Sequence, residues 1–203
     1  MPLVTTQDRS AATPPPASVE AERRYSLAAI LLHWTIAVLI VIQLLLGWWM
    51  NEWVPDHSHQ QDEIQDWHVS LGLTILILVL VRIGVRLAVR PPPVRAEAPG
   101  WERGLINVTH SLFYILLLVL PLTGWMLVSV EPDPISWWGV TWPHLPGLGF
   151  MAHSKPLRHD LKSIHTYWLI CLVLLNLALH VAGALKHQFD GHPVLARMWP
   201  GRG

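Results

Sequence analysis

The chain has 203 residues, 52% of them hydrophobic and only 14% charged; soluble domains carry about 25% charged residues, so the composition points to a membrane protein. Fourteen basic and fourteen acidic side chains cancel, which leaves no positive footprint for nucleic acid. The single cysteine, Cys171, excludes a disulfide framework, a CxxC zinc site and a CxxCH covalent attachment site; inside its apolar run it reads as a small buried hydrophobe.

Residues 1–22 are polar, contain Pro14, Pro15 and Pro16, and lack an apolar h-region. They are expected to form a disordered tail rather than a cleavable signal, with the first apolar run acting as an uncleaved anchor. That run spans about 27–49, with no charged side chain between Arg24 and Glu52. A second covers about 67–88 and carries Arg82 and Arg86 in its last turns. The third, about 105–130, is interrupted by Pro121, and the fourth is about 163–185. A hydrocarbon core of roughly 30 Å is crossed by about 20 helical residues. Each run suffices, and each is too long for a strand. The expected fold is all-α: an integral membrane four-helix bundle over residues 23–190, followed by a C-terminal tail, 191–203.

Charge gives the expected orientation. Eleven of the fourteen basic residues fall on one side: Arg9, Arg23, Arg24, Arg82, Arg86, Arg90, Arg95, Arg103, Lys186, Arg197 and Arg202. Opposite them lie Lys155, Arg158 and Lys162, with a first loop, NEWVPDHSHQQDEIQD, that holds five acids and no base. The positive-inside rule then puts both termini in the cytoplasm. Tryptophans 48, 49, 53, 67, 125, 137, 138 and 142 gather at the outer end as an interfacial belt. The long loop at about 131–162, rich in Pro, Gly and Trp, is expected to form a partly ordered outer cap; 91–99 is a short stiff inner connection.

Twelve histidines are many for such a chain. His33 lies about two turns from the inner end of the first run, and His180 about two turns from the inner end of the fourth. His68 opens the second run at the outer side, and His165 occupies the matching place on the fourth. On one helix, fifteen residues span about 22 Å and leave His180 about 60° around from His165. The pairs His33/His180 and His68/His165 thus occur at two depths, which suits two haem groups, each closed axially by two neutral imidazoles and fitted for outer-sphere electron transfer. Gly72 and Gly183 offer close approach for a flat ligand. Lys162 and Ser163 outside, and Tyr25, Arg24, Arg82 and Lys186 inside, are candidate partners for anionic propionates. His110 sits at the inner depth too; depth alone leaves it open as an axial ligand, a propionate partner, a quinone contact or a proton relay. His187 is read as interfacial, and His57, His59, His144, His153 and His159 as surface residues, since none falls in a HxxxH or HExxH pattern.

These features resemble the bacterial cytochrome b561 family, small four-helix di-haem membrane cytochromes. The matching stretches are YSLAAILLHW (Tyr25 to Trp34), HVSLG (His68 to Gly72), LVRIGVRL with Arg82 and Arg86, HSLFYILLLVLPLTGW, and LKSIH followed by LHVAGALKHQF. The likeness covers about residues 23–190. It implies that His33 and His180 hold a cytoplasmic haem b, that His68 and His165 hold a periplasmic one, and that His110 is not an axial ligand. It also implies exchange of electrons with ubiquinone, and resembles superoxide oxidases, for which Lys162, with Lys155 and Arg158, would supply a steering charge. A second reading within the resemblance is a cytochrome b subunit that takes electrons from a periplasmic dehydrogenase or hydrogenase. A reading of another class is a non-redox membrane protein that binds metal through the same histidines. Relative to the family, His165 and His180 are one residue further apart, which would turn one ligand by about 100° and calls for a local irregularity in the fourth helix.

Overall fold

The computed structural model describes residues 25–89, 99–148, 154–191 and 194–199. The tail expected at 1–22, the connection at 91–98 and parts of the C-terminal tail lie outside them. Among the described residues four helices are long and apolar enough to cross a membrane: α1 (Leu27–Glu52), α2 (His59–Ala88), α3 (Gly100–Ser129) and a fourth that runs Lys155–Phe189. The fourth is composite, with α4 (Lys155–Ser163), a π-helical turn (Ile164–Leu169) and α5 (Ile170–Phe189). The irregularity expected in the fourth helix is there, as a π turn that contains His165 itself.

Three helices begin earlier than their apolar runs: α2, α4 and, by about one turn, α3 at Gly100. α2 starts at His59, because the Ser58 hydroxyl accepts from the Gln61 amide at 3.2 Å and caps a polar first turn. α4 starts at Lys155, with Pro156 where a missing amide hydrogen is harmless. Both polar segments carry helix beyond the apolar span, so the loop expected at 131–162 ends at about residue 154. At the opposite end Ser26 caps α1 through the Ala29 amide.

Close packing runs from α1 to α2, from α2 to α3, and from α3 to the fourth helix. Ile36, Leu71, Ile75 and Val79 form one buried cluster, and Leu116, Leu169 and Val173 another. Most of the remaining apolar surface, such as Leu45, Leu80, Ile115 and Leu175, is exposed, as lipid-facing side chains are. Lipid provides no hydrophobic drive between helices, so polar bonds help to fix them. Buried Asn176 donates to the Thr109 carbonyl at 3.2 Å and ties α5 to α3.

Above α2 sits a hairpin, β1 (Ile135–Trp137) paired antiparallel with β2 (Val140–Trp142), with Ser136 opposite Thr141. Trp138 (φ 51°) and Gly139 (φ 84°) both have positive φ, as a two-residue hairpin turn requires. The hairpin is latched to α2 by two hydroxyls. Ser70 donates to the Ser136 carbonyl at 3.3 Å and accepts from the Trp138 amide at 3.0 Å. Thr74 donates to the Ser70 carbonyl at 2.8 Å and accepts both indole hydrogens, Trp137 at 3.2 Å and Trp138 at 2.9 Å. One hydroxyl has one hydrogen and two lone pairs, and Thr74 uses all three. Trp137, Trp142 and Trp125 stack edge to face from the hairpin to α3, and Trp67 meets Trp138. The expected outer cap is therefore an ordered Trp-lined hairpin.

Thr74→Val keeps the shape and strands two indole N–H groups. Each unpaired donor costs about 1–3 kcal/mol when buried, and these are partly exposed, so a total loss of about 1–2 kcal/mol is expected. Hydrogen exchange should report faster opening of residues 135–142 while the helices keep their protection; unchanged hairpin protection would refute the latch.

Candidate functional site

Two pairs of imidazoles face each other inside the bundle. At the hairpin end, His68 of α2 and His165 of the π turn have ring centroids 6.1 Å apart with planes at 79°. At the opposite end of the bundle, His33 of α1 and His180 of α5 are 6.2 Å apart with planes at 66°. The four histidines that the sequence pairs by depth are thus brought together as two pairs. Two imidazoles bound through nitrogen to one metal atom at about 2 Å each stand about 6 Å apart, centre to centre. Both pairs have that spacing. His110 is nearer to His180, at 5.3 Å, too close for an atom shared on the same terms. Its Nδ1 lies 2.7 Å from the Ile106 carbonyl of its own helix. Phe113 closes another side of His180 at 5.2 Å.

The hairpin-end pair is held by glycines. A Cβ on Gly47 of α1 would stand 3.0 Å from Cε1 of His68, and a Cβ on Gly124 of α3 would stand 3.0 Å from Cε1 of His165. Only a residue without a side chain lets these rings sit against the neighbouring helix. Gly72 and Gly183, the glycines that spacing singles out, do something else: Gly72 makes room for the Gln43 amide at 3.2 Å, and nothing stands within 4 Å of a Cβ on Gly183. Gly47 and Gly124 escape a sequence reading because their contacts cross between helices; the only local sign is Gly124 inside LPLTGW.

Polar groups finish this level. Thr123 Oγ1 lies 3.0 Å from His165 Nδ1 and donates to the Leu120 carbonyl at 2.7 Å. Gln43 Nε2 donates to the His68 carbonyl at 2.9 Å. His68 Nδ1 and Gln43 Oε1 are buried without a partner.

The other expected site residues fall as follows. Arg82 lies within electrostatic reach of His33, His110 and His180, and its Nε contacts the Tyr114 hydroxyl at 3.4 Å. The Arg86 guanidinium stands 5.5 Å from the Tyr114 ring centre, so the two arginines converge on one tyrosine. Tyr25 is half-buried just before α1, and Lys162 is exposed on the last turn of α4, three residues before His165. Lys186 is engaged by Glu102 and Asp190, both at 2.9 Å, and Arg158 is paired with Glu131. Among the described residues no group of three or more His, Cys, Asp or Glu side chains could hold a metal ion. Isolated pairs of imidazoles suit a group that brings its own equatorial ligands.

Residues 24–201 match the family model described as prokaryotic cytochrome b561. The chain belongs to the prokaryotic cytochrome b561 family. Similar curated proteins include a probable superoxide oxidase CybB of Yersinia pestis, 26% identical over 82% of this chain and 90% of that protein. The cytochrome b561 homolog 2 of Escherichia coli K12 is also 26% identical, over 86% and 90%. A cytochrome b562 of Cereibacter sphaeroides is 35% identical over 51% of this chain and 65% of its own length. Membership implies haem b in a multi-pass membrane protein, and the imidazole pairs and glycine cradles fit a flat macrocycle that needs two axial nitrogens.

Gly124→Ala and Gly47→Ala in this cytochrome b561 protein should each lower the haem b content per purified chain. The added methyl gains up to about 1 kcal/mol of helix propensity but forces the imidazole or helix to move, at about 1–3 kcal/mol. Gly84→Ala, which meets nothing within 4 Å, should keep full haem and melt at the same or a higher temperature. Equal haem loss in all three would show that the cradles do not matter.

Proposed function

We propose that this chain carries two haem b groups, one between His68 and His165 and the other between His33 and His180, and moves electrons between them across the membrane to ubiquinone. The observation that supports it is the common spacing of the two pairs, 6.1 and 6.2 Å, at opposite ends of the bundle. Fifteen residues separate the two ligands on the fourth helix, so the pairs are about 22 Å apart along its axis. Each haem, when bound, would supply a reversible one-electron couple between ferric and ferrous iron.

The protein's part is to hold and orient. Gly47 and Gly124 admit the rings at the hairpin end, Phe113 encloses His180, and Arg82, with Arg86 stacked on Tyr114, supplies positive charge for propionates at the other end. His110, whose Nδ1–H is donated to the Ile106 carbonyl, keeps an Nε2 lone pair that accepts from a quinol hydroxyl or a protonated propionate. Its 5.3 Å spacing from His180, not its tautomer, sets it apart from the iron ligands. Lys162 and Tyr25 stand where further propionate contacts would form. The excess of Arg and Lys expected at the His33/His180 end supports a cytoplasmic position for that end and a periplasmic one for the hairpin.

For the overall reaction the reading favoured is superoxide:ubiquinone oxidoreduction, in keeping with the name of the Yersinia pestis relative. Two superoxide anions lose one electron each and leave as dioxygen; one ubiquinone gains two electrons and two protons. An anionic donor needs local positive charge. With Arg158 engaged by Glu131, exposed Lys162 beside the His165 level is the residue best placed to provide it. The acidic start of α2, where Asp62, Glu63 and Asp66 are all exposed, favours the second reading, a positively charged periplasmic redox protein as donor.

The test is a reduced-minus-oxidised spectrum of purified protein with haem counted per chain. Two low-spin haems are expected, with His68→Ala and His33→Ala each losing one and His110→Ala keeping both. A wild-type chain with one haem, or a His110→Ala chain with one, would overturn the assignment. Lys162→Gln should slow superoxide-driven ubiquinone reduction several-fold at low salt, less at high salt, with the spectrum unchanged. A rate insensitive to both charge and salt would shift the donor to the protein-partner reading.

A further inference from the structure

Thr123 has a geometry that the proposed electron path alone does not explain. Its hydroxyl hydrogen is spent on the Leu120 carbonyl, 2.7 Å away. The 3.0 Å contact with His165 Nδ1 therefore leaves the threonine oxygen only as acceptor, and the imidazole hydrogen must be on Nδ1. That tautomer leaves the Nε2 lone pair free. Gly124, the next residue, lets the same ring lie against α3. Pro121, two residues before Thr123, lies inside α3 and withholds one helical hydrogen bond at the turn that presents this hydroxyl. His68, the facing ring, is supported differently: its Nδ1 is buried and unpartnered.

We infer that Thr123 is a positioning residue for His165. It selects the tautomer, fixes the ring plane near 79° to that of His68, and sets how strongly His165 donates to iron. The inference rests on the haem reading of the His68/His165 pair. An acceptor on Nδ1–H makes the opposite nitrogen a better donor, and a better donor favours ferric iron. Removing the acceptor shifts the couple toward the reduced form, so the potential of that haem rises. The effect is confined to one level, because Thr123 contacts neither His33 nor His180.

The experiment compares wild type, Thr123→Val, Thr123→Ser and His165→Ala in detergent, by haem per chain, equilibrium redox titration and low-temperature electron paramagnetic resonance of the ferric protein. Thr123→Val should keep its haem and raise the reduced-to-oxidised ratio of one component about threefold at fixed potential, a shift of about 30 mV at 59 mV per tenfold for one electron. The second component should not move. The ferric signal of the shifted haem should broaden as His165 loses its fixed plane. Thr123→Ser, which keeps the hydroxyl and drops the methyl, should match wild type in all three. If Thr123→Val instead loses one haem while Thr123→Ser keeps both, the hydroxyl is still what holds the ligand. A valine variant that titrates as wild type, or a serine variant that shifts as far as valine, overturns the inference and leaves the haem reading intact. A wild-type chain without two haems, or a His165→Ala chain that keeps both, overturns the ligand assignment itself.

Discussion

An imidazole inside a bilayer is expensive unless its nitrogens are engaged, and this chain puts five histidines within its four apolar runs. Much of the rest of the bundle follows from that constraint. Two pairs must meet across helices that are not packed backbone to backbone, so their spacing is set by the rings themselves, at 6.1 and 6.2 Å. The second nitrogen of each ring is a separate obligation. His165 discharges it on Thr123 and His110 on its own helix. Close packing of α1 on α2 and of α3 on the fourth helix holds the glycines against the rings at the hairpin end.

The two ends are built on different principles. At the hairpin end the imidazoles are flanked by Gly47 and Gly124, roofed by indoles, and fixed by neutral hydroxyl and amide groups. At the other end the neighbours are aromatic and cationic: Phe113 against His180, Arg82 on Tyr114, and Arg86 over the same ring. The C-terminal segment also returns there, with the Trp34 indole donating to the Met198 carbonyl at 2.7 Å and Trp199 against Trp34. Neighbouring positive charge favours the reduced, less positive state of a redox centre, and fixed neutral dipoles act more weakly. On the two-haem reading proposed above, the two levels are therefore expected to differ in potential.

How much of this is legible in the sequence depends on the range of the interaction. Apolar runs are a local signal, and all four helices come from them. The helix starts do not, because the polar turns His59–Asp66, capped by Ser58, and Lys155–Lys162, opened by Pro156, are helical while hydropathy reads them as loop. The histidine pairs are legible because depth in a membrane is counted along the chain. Gly47, Gly124 and Thr123 are not, since each acts on a ring of a different helix and nothing in LPLTGW names its target. Gly72 and Gly183 show the opposite error: proximity in sequence to a histidine is no measure of which face of that histidine is crowded.

The π turn links these two kinds of information. Fifteen regular helical steps between His165 and His180 would put the rings about 60° apart, whereas fourteen would put them about 40° apart in the other sense. An inserted residue therefore threatens to turn one ring by about 100° away from its partner. The π turn at Ile164–Leu169 confines the departure from regular helix to a single turn. His165 lies within that turn and needs more external support than a ligand on a regular helix. The support comes from α3, where Pro121, Thr123 and Gly124 fall within four residues: one loosens the helix, one bonds the ring and one makes room for it. The π turn of one helix is thus supported by local chemistry in another, and the pair at the hairpin end keeps the same spacing as the pair that has no such irregularity.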